Sequence, residues 1–153
     1  MTRFYDIDDA NAALPDVERI LIALRDQRAE LIRLRDMFAA LDDGAGSATA
    51  GDATPGAPDA AGGTGAAGGT ATADPRTLRL RMQGLIDQMQ AGVGKLVEED
   101  VTLREIETGL IDFAALVNGR PVWLCWRLGE DRIAWWHELT EGFSGRRRLE
   151  DLT

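Results

Sequence analysis

The stretch VWLCWRLGEDRIAWWHE, residues 122–138, decides how this chain folds. It contains all four tryptophans, the single cysteine and the single histidine of the protein. Each tryptophan carries roughly 150–250 Å² of mostly apolar surface, which is too much to leave in water. The stretch is therefore a core nucleus, a binding face, or both.

The same stretch has the pattern of a β-hairpin. We predict strands over residues 122–127 and 132–137, joined by residues 128–131. If the loop has two or four residues, opposed residue numbers sum to 259, and Cys125 and His137 lie on different faces. If the loop has three residues the sum is 258, and the two share a face without being directly opposite. The sequence leaves both registers open.

The preceding residues predict the rest of a small antiparallel β-meander within residues 100–148. Residues 101–106 alternate imperfectly, and a turn at Gly109 leads into a buried segment. Asn118-Gly119 is a strong turn signal, and Pro121 fits the start of a strand. We expect Asp112 to cap or bond backbone in a turn. The tail after residue 142 is predicted to be a loop anchored by Phe143.

Two apolar stripes with helical spacing precede the meander. One of Asp6, Asp8 or Asp9 is expected to cap a short helical turn, after which Pro15 restarts a helix that runs to about residue 42. Its stripe is Ile20, Leu24, Leu31, Leu34, Phe38 and Leu41. The second helix begins at Asp74-Pro75, and its stripe is Leu78, Met82, Leu85, Met89, Val93 and Leu96.

The two stripes match in length and width, which favours an antiparallel helical hairpin with coiled-coil packing. Gly92 and Gly94 are expected to mark a kink or an early end of the second helix. The predicted fold class is α+β, a long antiparallel helical hairpin that carries a small C-terminal antiparallel β-meander.

Residues 43–74 contain only Ala, Gly, Thr, Asp, Pro and Ser. Such a segment has no large apolar side chain to offset its ordering entropy, so we predict a disordered linker between the helices. The remaining residues are enough for one core, and residues 1–153 are predicted to form a single domain.

Composition limits the partners. A net charge of −9 argues against general binding to nucleic acid or to anionic membranes. Arginines 146–148 beside the tryptophans raise single-stranded nucleic acid as an alternative, but pairing with the acidic residues is the favoured role. The N-terminus has no signal-peptide core and no apolar run is long enough to span a bilayer, so we expect a cytoplasmic protein.

The candidate ligand-binding residues are ionisable, nucleophilic or aromatic side chains in or near the Trp-rich stretch, namely Cys125, Glu130, Trp136, His137, Glu138 and Arg146. A zinc site needs three or four protein ligands, so Cys125 and His137 would need carboxylates such as Glu130 or Glu138. A Cys–His nucleophile pair has the same geometric requirement. We favour a buried structural cysteine and a hydrogen-bonded histidine, and we therefore expect no cofactor. The sequence leaves catalytic residues and metal ligands open.

Several motifs resemble a known family. These are Gly109-Leu110-Ile111-Asp112-Phe113, Leu124-Cys125-Trp126-Arg127, Gly129-Glu130, Trp136-His137-Glu138 and Gly142-Phe143-Ser144-Gly145-Arg146, together with the opening Asp9-Ala10-Asn11-Ala12-Ala13-Leu14-Pro15. They look like the signature of the bacterial domain of unknown function 2203. Ala114 stands where the resemblance implies proline, so a looser turn is expected after Phe113. The family has no established activity, so the resemblance implies membership and no residue roles.

Two functional hypotheses follow. The leading one is a small protein-interaction or scaffold module that self-associates, because two long helices with one stripe each have little else to cover them. The alternative is a small-molecule, metal or redox-binding protein that uses the Cys, His and Glu residues of the Trp-rich hairpin. On either hypothesis we expect a protein that is not an enzyme.

Overall fold

The computed structural model describes residues 3–45 and 74–152. Two helices are followed by five strands and two short 3-10 helices, at Phe143–Gly145 and Leu149–Leu152. The longer elements are α1 Ile7–Ala45, α2 Pro75–Glu98, β1 Val101–Glu105, β2 Leu110–Val117, β3 Arg120–Arg127, β4 Trp135–His137 and β5 Arg147–Arg148. The predicted α+β class is confirmed. Of the predicted linker, residues 46–73 lie outside the described residues, and residues 43–45 are the last of α1.

Helix α1 is one continuous helix of 39 residues that passes through Pro15. The predicted restart at Pro15 is therefore wrong. Asp6 is the capping residue, because its Oδ1 accepts the backbone N–H of Asp9 at 2.7 Å. Proline removes one helical hydrogen bond, but Leu14 and Val17 beside it are buried in the core, and this packing offsets the loss.

Helix α2 begins as predicted, with Asp74 Oδ1 accepting the N–H of Arg76 and with Pro75 in the first turn. It continues to Glu98, so the early end considered at Gly92 and Gly94 does not occur. Gly92 has a packing role instead. A Cβ at this position would lie 3.1 Å from Leu24 Cδ2, so glycine lets α2 approach α1 closely.

The two helices pack side by side in opposite directions. Gln27 Nε2 bonds Gln88 Oε1 at 3.4 Å, and farther along α1 the guanidinium of Arg79 lies 5.1 Å from the ring centroid of Phe38. Residues later in α1 thus contact residues earlier in α2, which confirms the antiparallel hairpin. Among the described residues, the helices are too polar or too short to cross a membrane.

The strands form a five-stranded antiparallel sheet in sequence order, β1-β2-β3-β4-β5, and the predicted meander is confirmed. Asn118 and Gly119 both have positive φ, 54° and 76°, and form the two-residue loop between β2 and β3. No turn follows Phe113, because β2 continues through Ala114 to Val117. There the N-terminal Tyr5 forms an isolated parallel bridge with Ala115.

Two further details differ from the predicted meander. Strand β4 begins at Trp135 rather than at residue 132, because Ile133 donates its backbone N–H to Asn11 Oδ1 on α1 and is not available to pair with β3. The tail is also more regular than a loop, since Arg147–Arg148 adds β5 to the edge of β4. Phe143, the predicted anchor, is 43% exposed.

One face of the sheet packs on the hairpin and forms the main core. The sheet contributes, among others, Ile111, Phe113, Val122, Leu124, Trp126 and Trp136. The helices contribute α1 residues up to Leu24 and α2 residues from Met89 onward. We call residues 28–43 and 75–88, which lie beyond this core, the distal hairpin. The opposite side of the sheet, which we call the outer face, carries the polar groups described next.

Candidate functional site

The strand registers bring three chemically active side chains together on the outer face. Asp112 of β2 is paired with Cys125 of β3. Across the next ladder, Cys125 is paired with Trp135 and Trp123 with His137. Paired residues point to the same side of a sheet, so Asp112, Cys125 and His137 share the outer face, with His137 diagonal to Cys125.

This register is neither of the two that the sequence left open. Trp123 opposes His137, so opposed residue numbers in β3 and β4 sum to 260. The connection between the strands spans residues 128–134 and is longer than predicted. An even sum places Cys125 and His137 on one face, as the 258 register does, and the expectation that they are not directly opposite also holds.

The carboxylate of Asp112 is the centre of the hydrogen-bond network. Its Oδ2 accepts from Arg104 Nε at 2.8 Å and lies 3.0 Å from His137 Nε2. The other ring nitrogen, Nδ1, lies 2.9 Å from the backbone carbonyl oxygen of Glu138. A carbonyl only accepts, so Nδ1 carries a proton and donates it there. The orientation of the imidazole is fixed from both sides.

The three side chains are shielded from water. Asp112 is 2% exposed, and Cys125 and His137 are each 1% exposed. Two arginine–tryptophan stacks flank them on the outer face. The guanidinium of Arg104 lies 4.9 Å from the ring centroid of Trp123, and that of Arg146 lies 5.0 Å from the ring centroid of Trp135.

This environment suppresses the reactivity of the thiol. Burial, which has the largest effect, and the nearby negative charge of Asp112 together raise the pKa of Cys125 to about 12 against the opposing effect of Arg146. The side chain is therefore a neutral thiol near neutral pH. His137 has one nitrogen committed to a carbonyl and the other directed at Asp112, so it is not placed to deprotonate the thiol. The geometry does not support a Cys–His nucleophile.

The cluster does have the donor atoms of a metal site. A carboxylate oxygen of Asp112, Sγ of Cys125 and a ring nitrogen of His137 all lie within 4.8 Å of one another. Within residues 3–45 and 74–152 this is the one group of three or more such side chains that approach so closely. Asp112 Oδ1 is buried and has no hydrogen-bond partner.

The other predicted site residues lie around the cluster. Glu130 and Arg146 form an ion pair of 2.5 Å, and Arg146 Nη2 is 3.5 Å from the backbone oxygen of Cys125. The carboxylate of Glu138 pairs with Arg120, and its carbonyl holds His137. Trp136 points away, into the helix-facing core, and its indole N–H donates to the backbone oxygen of Arg148.

Sequence reasoning missed two members of the site, Asp112 and Arg104. The turn or cap role expected for Asp112 is wrong, because Asp112 lies within β2 and bonds side chains. A signal was present, since a single carboxylate interrupts the otherwise apolar run of residues 110–117. A charged residue in a buried strand needs a charged or polar partner, and this one has two.

The comparisons with known proteins give a family and no activity. A family model described as an uncharacterized conserved protein, DUF2203, matches residues 3–149. No curated protein and no solved structure matches the chain significantly. The match spans both helices, the whole sheet and all members of the buried cluster. The chain therefore belongs to the DUF2203 family of uncharacterized conserved proteins.

Proposed function

We propose that this protein is an interaction module that self-associates through its distal hairpin. The observation that carries the proposal is the incomplete burial of the apolar stripe in that region. Leu34 and Leu78 are fully buried, but most other apolar residues there are only half-buried. The half-buried group is Leu31, Ile32, Met37, Phe38, Leu41, Met82, Leu85 and Ile86.

The half-burial follows from the architecture. The sheet covers the hairpin only as far as Leu24 on α1 and from Met89 on α2. In the distal hairpin each helix has one neighbour, and one neighbour covers only part of a helical stripe. A second hairpin laid against the first makes a four-helix bundle, the usual solution for a helical pair of this kind.

The proposed assembly is a two-fold dimer in which the same surface of each copy forms the interface. Its core would be packed in the manner of a coiled coil, with the half-buried residues of both copies facing one another. The module is proposed to act in the cytoplasm, and the single free cysteine, Cys125, is in keeping with a reducing compartment.

Light scattering coupled to size-exclusion chromatography, over a range of protein concentrations, tests this proposal. The full chain is expected to be a dimer. The double variant Ile32→Glu, Ile86→Glu places four like charges in the interface of a dimer and is expected to be a monomer with unchanged helical circular dichroism. A monomeric wild type, or a dimer that survives both substitutions, would refute the proposal.

A matched control is available on the same helix. Ile22 is 36% exposed and lies in the half of α1 that packs on the sheet. The substitution Ile22→Glu adds the same charge outside the distal hairpin and should leave the dimer intact. If this control also dissociates the dimer, the interface does not lie where we place it.

A further inference from the structure

We propose that Asp112, Cys125 and His137 bind a single transition-metal ion of the zinc type. The proposal goes beyond self-association and is independent of it, because the cluster lies on the outer face of the sheet and the distal hairpin lies beyond the opposite face. Four observations on these three buried side chains support it.

The first observation is an unsatisfied acceptor. Asp112 Oδ1 is completely buried without a partner, while Oδ2 of the same carboxylate accepts from Arg104. A buried carboxylate oxygen without a donor is costly, and such an atom calls for a specific explanation. A cation at Oδ1 supplies one, with Arg104 holding the other oxygen and orienting the carboxylate.

The second observation is the tautomer of His137. Because the carbonyl of Glu138 fixes the proton on Nδ1, a neutral ring presents a bare lone pair at Nε2. That lone pair is 3.0 Å from Asp112 Oδ2, which also only accepts when ionised. The contact becomes favourable only with a positive charge at Nε2, either a second proton or a metal ion. A carbonyl on the far nitrogen is also the usual support for a histidine metal ligand.

The third observation is the composition of the donor set. A thiolate, a carboxylate and a neutral imidazole carry two negative charges, which balance a divalent cation in a buried place. Sulfur and nitrogen donors select zinc, cobalt or copper over magnesium and calcium, which take oxygen. Three protein ligands leave a fourth tetrahedral position for water or an external ligand, as in zinc sites that are not closed.

The fourth observation is distance. Donor atoms around a tetrahedral zinc ion lie roughly 3.3–3.8 Å apart, as follows from bond lengths of about 2.0–2.3 Å. The three donor atoms here already lie within 4.8 Å of one another. Closing the set therefore takes movements of about 1 Å. All three residues sit on paired strands.

Titration of the full chain with cobalt(II) tests the proposal directly. The expected result is one ion per chain, with the near-ultraviolet absorption of a cobalt–thiolate bond and the visible bands of a tetrahedral site. Zinc should abolish these bands by competition, whereas magnesium and calcium should not. If cobalt does not bind, or binds without a thiolate band, the proposal is refuted.

Variants separate ligation from folding. Cys125→Ala and His137→Gln should each weaken cobalt binding by about 100-fold or more, and Arg104→Ala, as the loss of a positioning residue, by about 10- to 100-fold. Asp131→Asn changes an exposed carboxylate in the connection between β3 and β4, outside the donor set, and should bind as the wild type does. Near-ultraviolet circular dichroism identifies any variant that fails to fold.

The result for Cys125→Ala is interpreted according to whether the variant folds. If Cys125→Ala is folded and still binds cobalt with wild-type affinity, the donors are not those named here and the proposal falls. If Cys125→Ala is unfolded, Arg104→Ala is the variant that tests the site, because the side chain that it removes lies on the surface side of the cluster. Unchanged affinity in a folded Arg104→Ala also refutes the site.

Discussion

The substitution Asp112→Ala should reduce stability far more than the loss of an ordinary salt bridge. The carboxylate accepts from Arg104 at 2.8 Å and lies 3.0 Å from His137 Nε2. His137 is 1% exposed, so no water replaces the lost partner. The variant therefore leaves a buried imidazole nitrogen, His137 Nε2, without its side-chain partner.

The size of the effect follows from this asymmetry. Leaving a buried polar group without its partner costs about 1–3 kcal/mol of unfolding free energy, and more when the lost partner is charged. The side chain of Arg104 is 42% exposed, so Arg104→Ala removes a partner that water replaces, and we expect a cost of about 1 kcal/mol. Asp131 is exposed in the connection between β3 and β4, and Asp131→Ala should change stability by less than about 0.5 kcal/mol.

Urea unfolding followed by tryptophan fluorescence measures all three differences, provided that a chelator is present so that bound metal does not contribute. The ordering Asp112→Ala, then Arg104→Ala, then Asp131→Ala is the test. A loss of less than about 1 kcal/mol for Asp112→Ala, below the range for a buried group left without its partner, would refute the reasoning. It would mean that His137 finds another partner or that the cluster is hydrated.

Four further substitutions have expected effects on the free energy of unfolding. The Cys125 thiol has its ordinary pKa of 9.0 in the unfolded chain and a pKa of about 12 in the folded protein. Because only the unfolded chain loses this proton between about pH 9 and 12, the wild type should lose stability relative to Cys125→Ala over that range. Urea midpoints at each pH measure the difference. Gly109→Ala should cost about 2 kcal/mol or more, because φ is +67° and a Cβ would lie 2.5 Å from Leu128 Cβ. Gly119→Ala, at φ +76° in open space, should cost only about 1 kcal/mol in the same unfolding assay. Leu124→Ala empties a fully buried place in the sheet and should cost about 2–5 kcal/mol, read from the same urea curves.

Local signals predicted most of the fold. The apolar stripes, the Asp74-Pro75 start and the Asn118-Gly119 turn each depend on residues close together in sequence, and each is confirmed. Pro15 is the instructive exception. Its ordinary effect is to begin or end a helix, but buried neighbours on both sides keep α1 continuous.

The candidate site could not be predicted in the same way. Whether Cys125 and His137 meet depends on a register that changes face with a one-residue shift, and the loop length was not readable from sequence. The loop is longer than expected because Ile133 bonds a side chain of α1, which is 122 residues away in sequence. Asp112 joins the cluster only through a second register, between β2 and β3.

The hydrogen bond between Ile133 and Asn11 is one of the contacts between α1 and the sheet, and these contacts have a consequence during synthesis. Trp126 and Trp136, which complete the core on the apolar side of α1, are made more than 100 residues after Leu14, Val17 and Leu21 of that helix. Until they emerge, Leu14, Val17 and Leu21 have no sheet to cover them. During that interval the nascent chain exposes the apolar side of α1, and transiently exposed apolar surface of this kind favours aggregation.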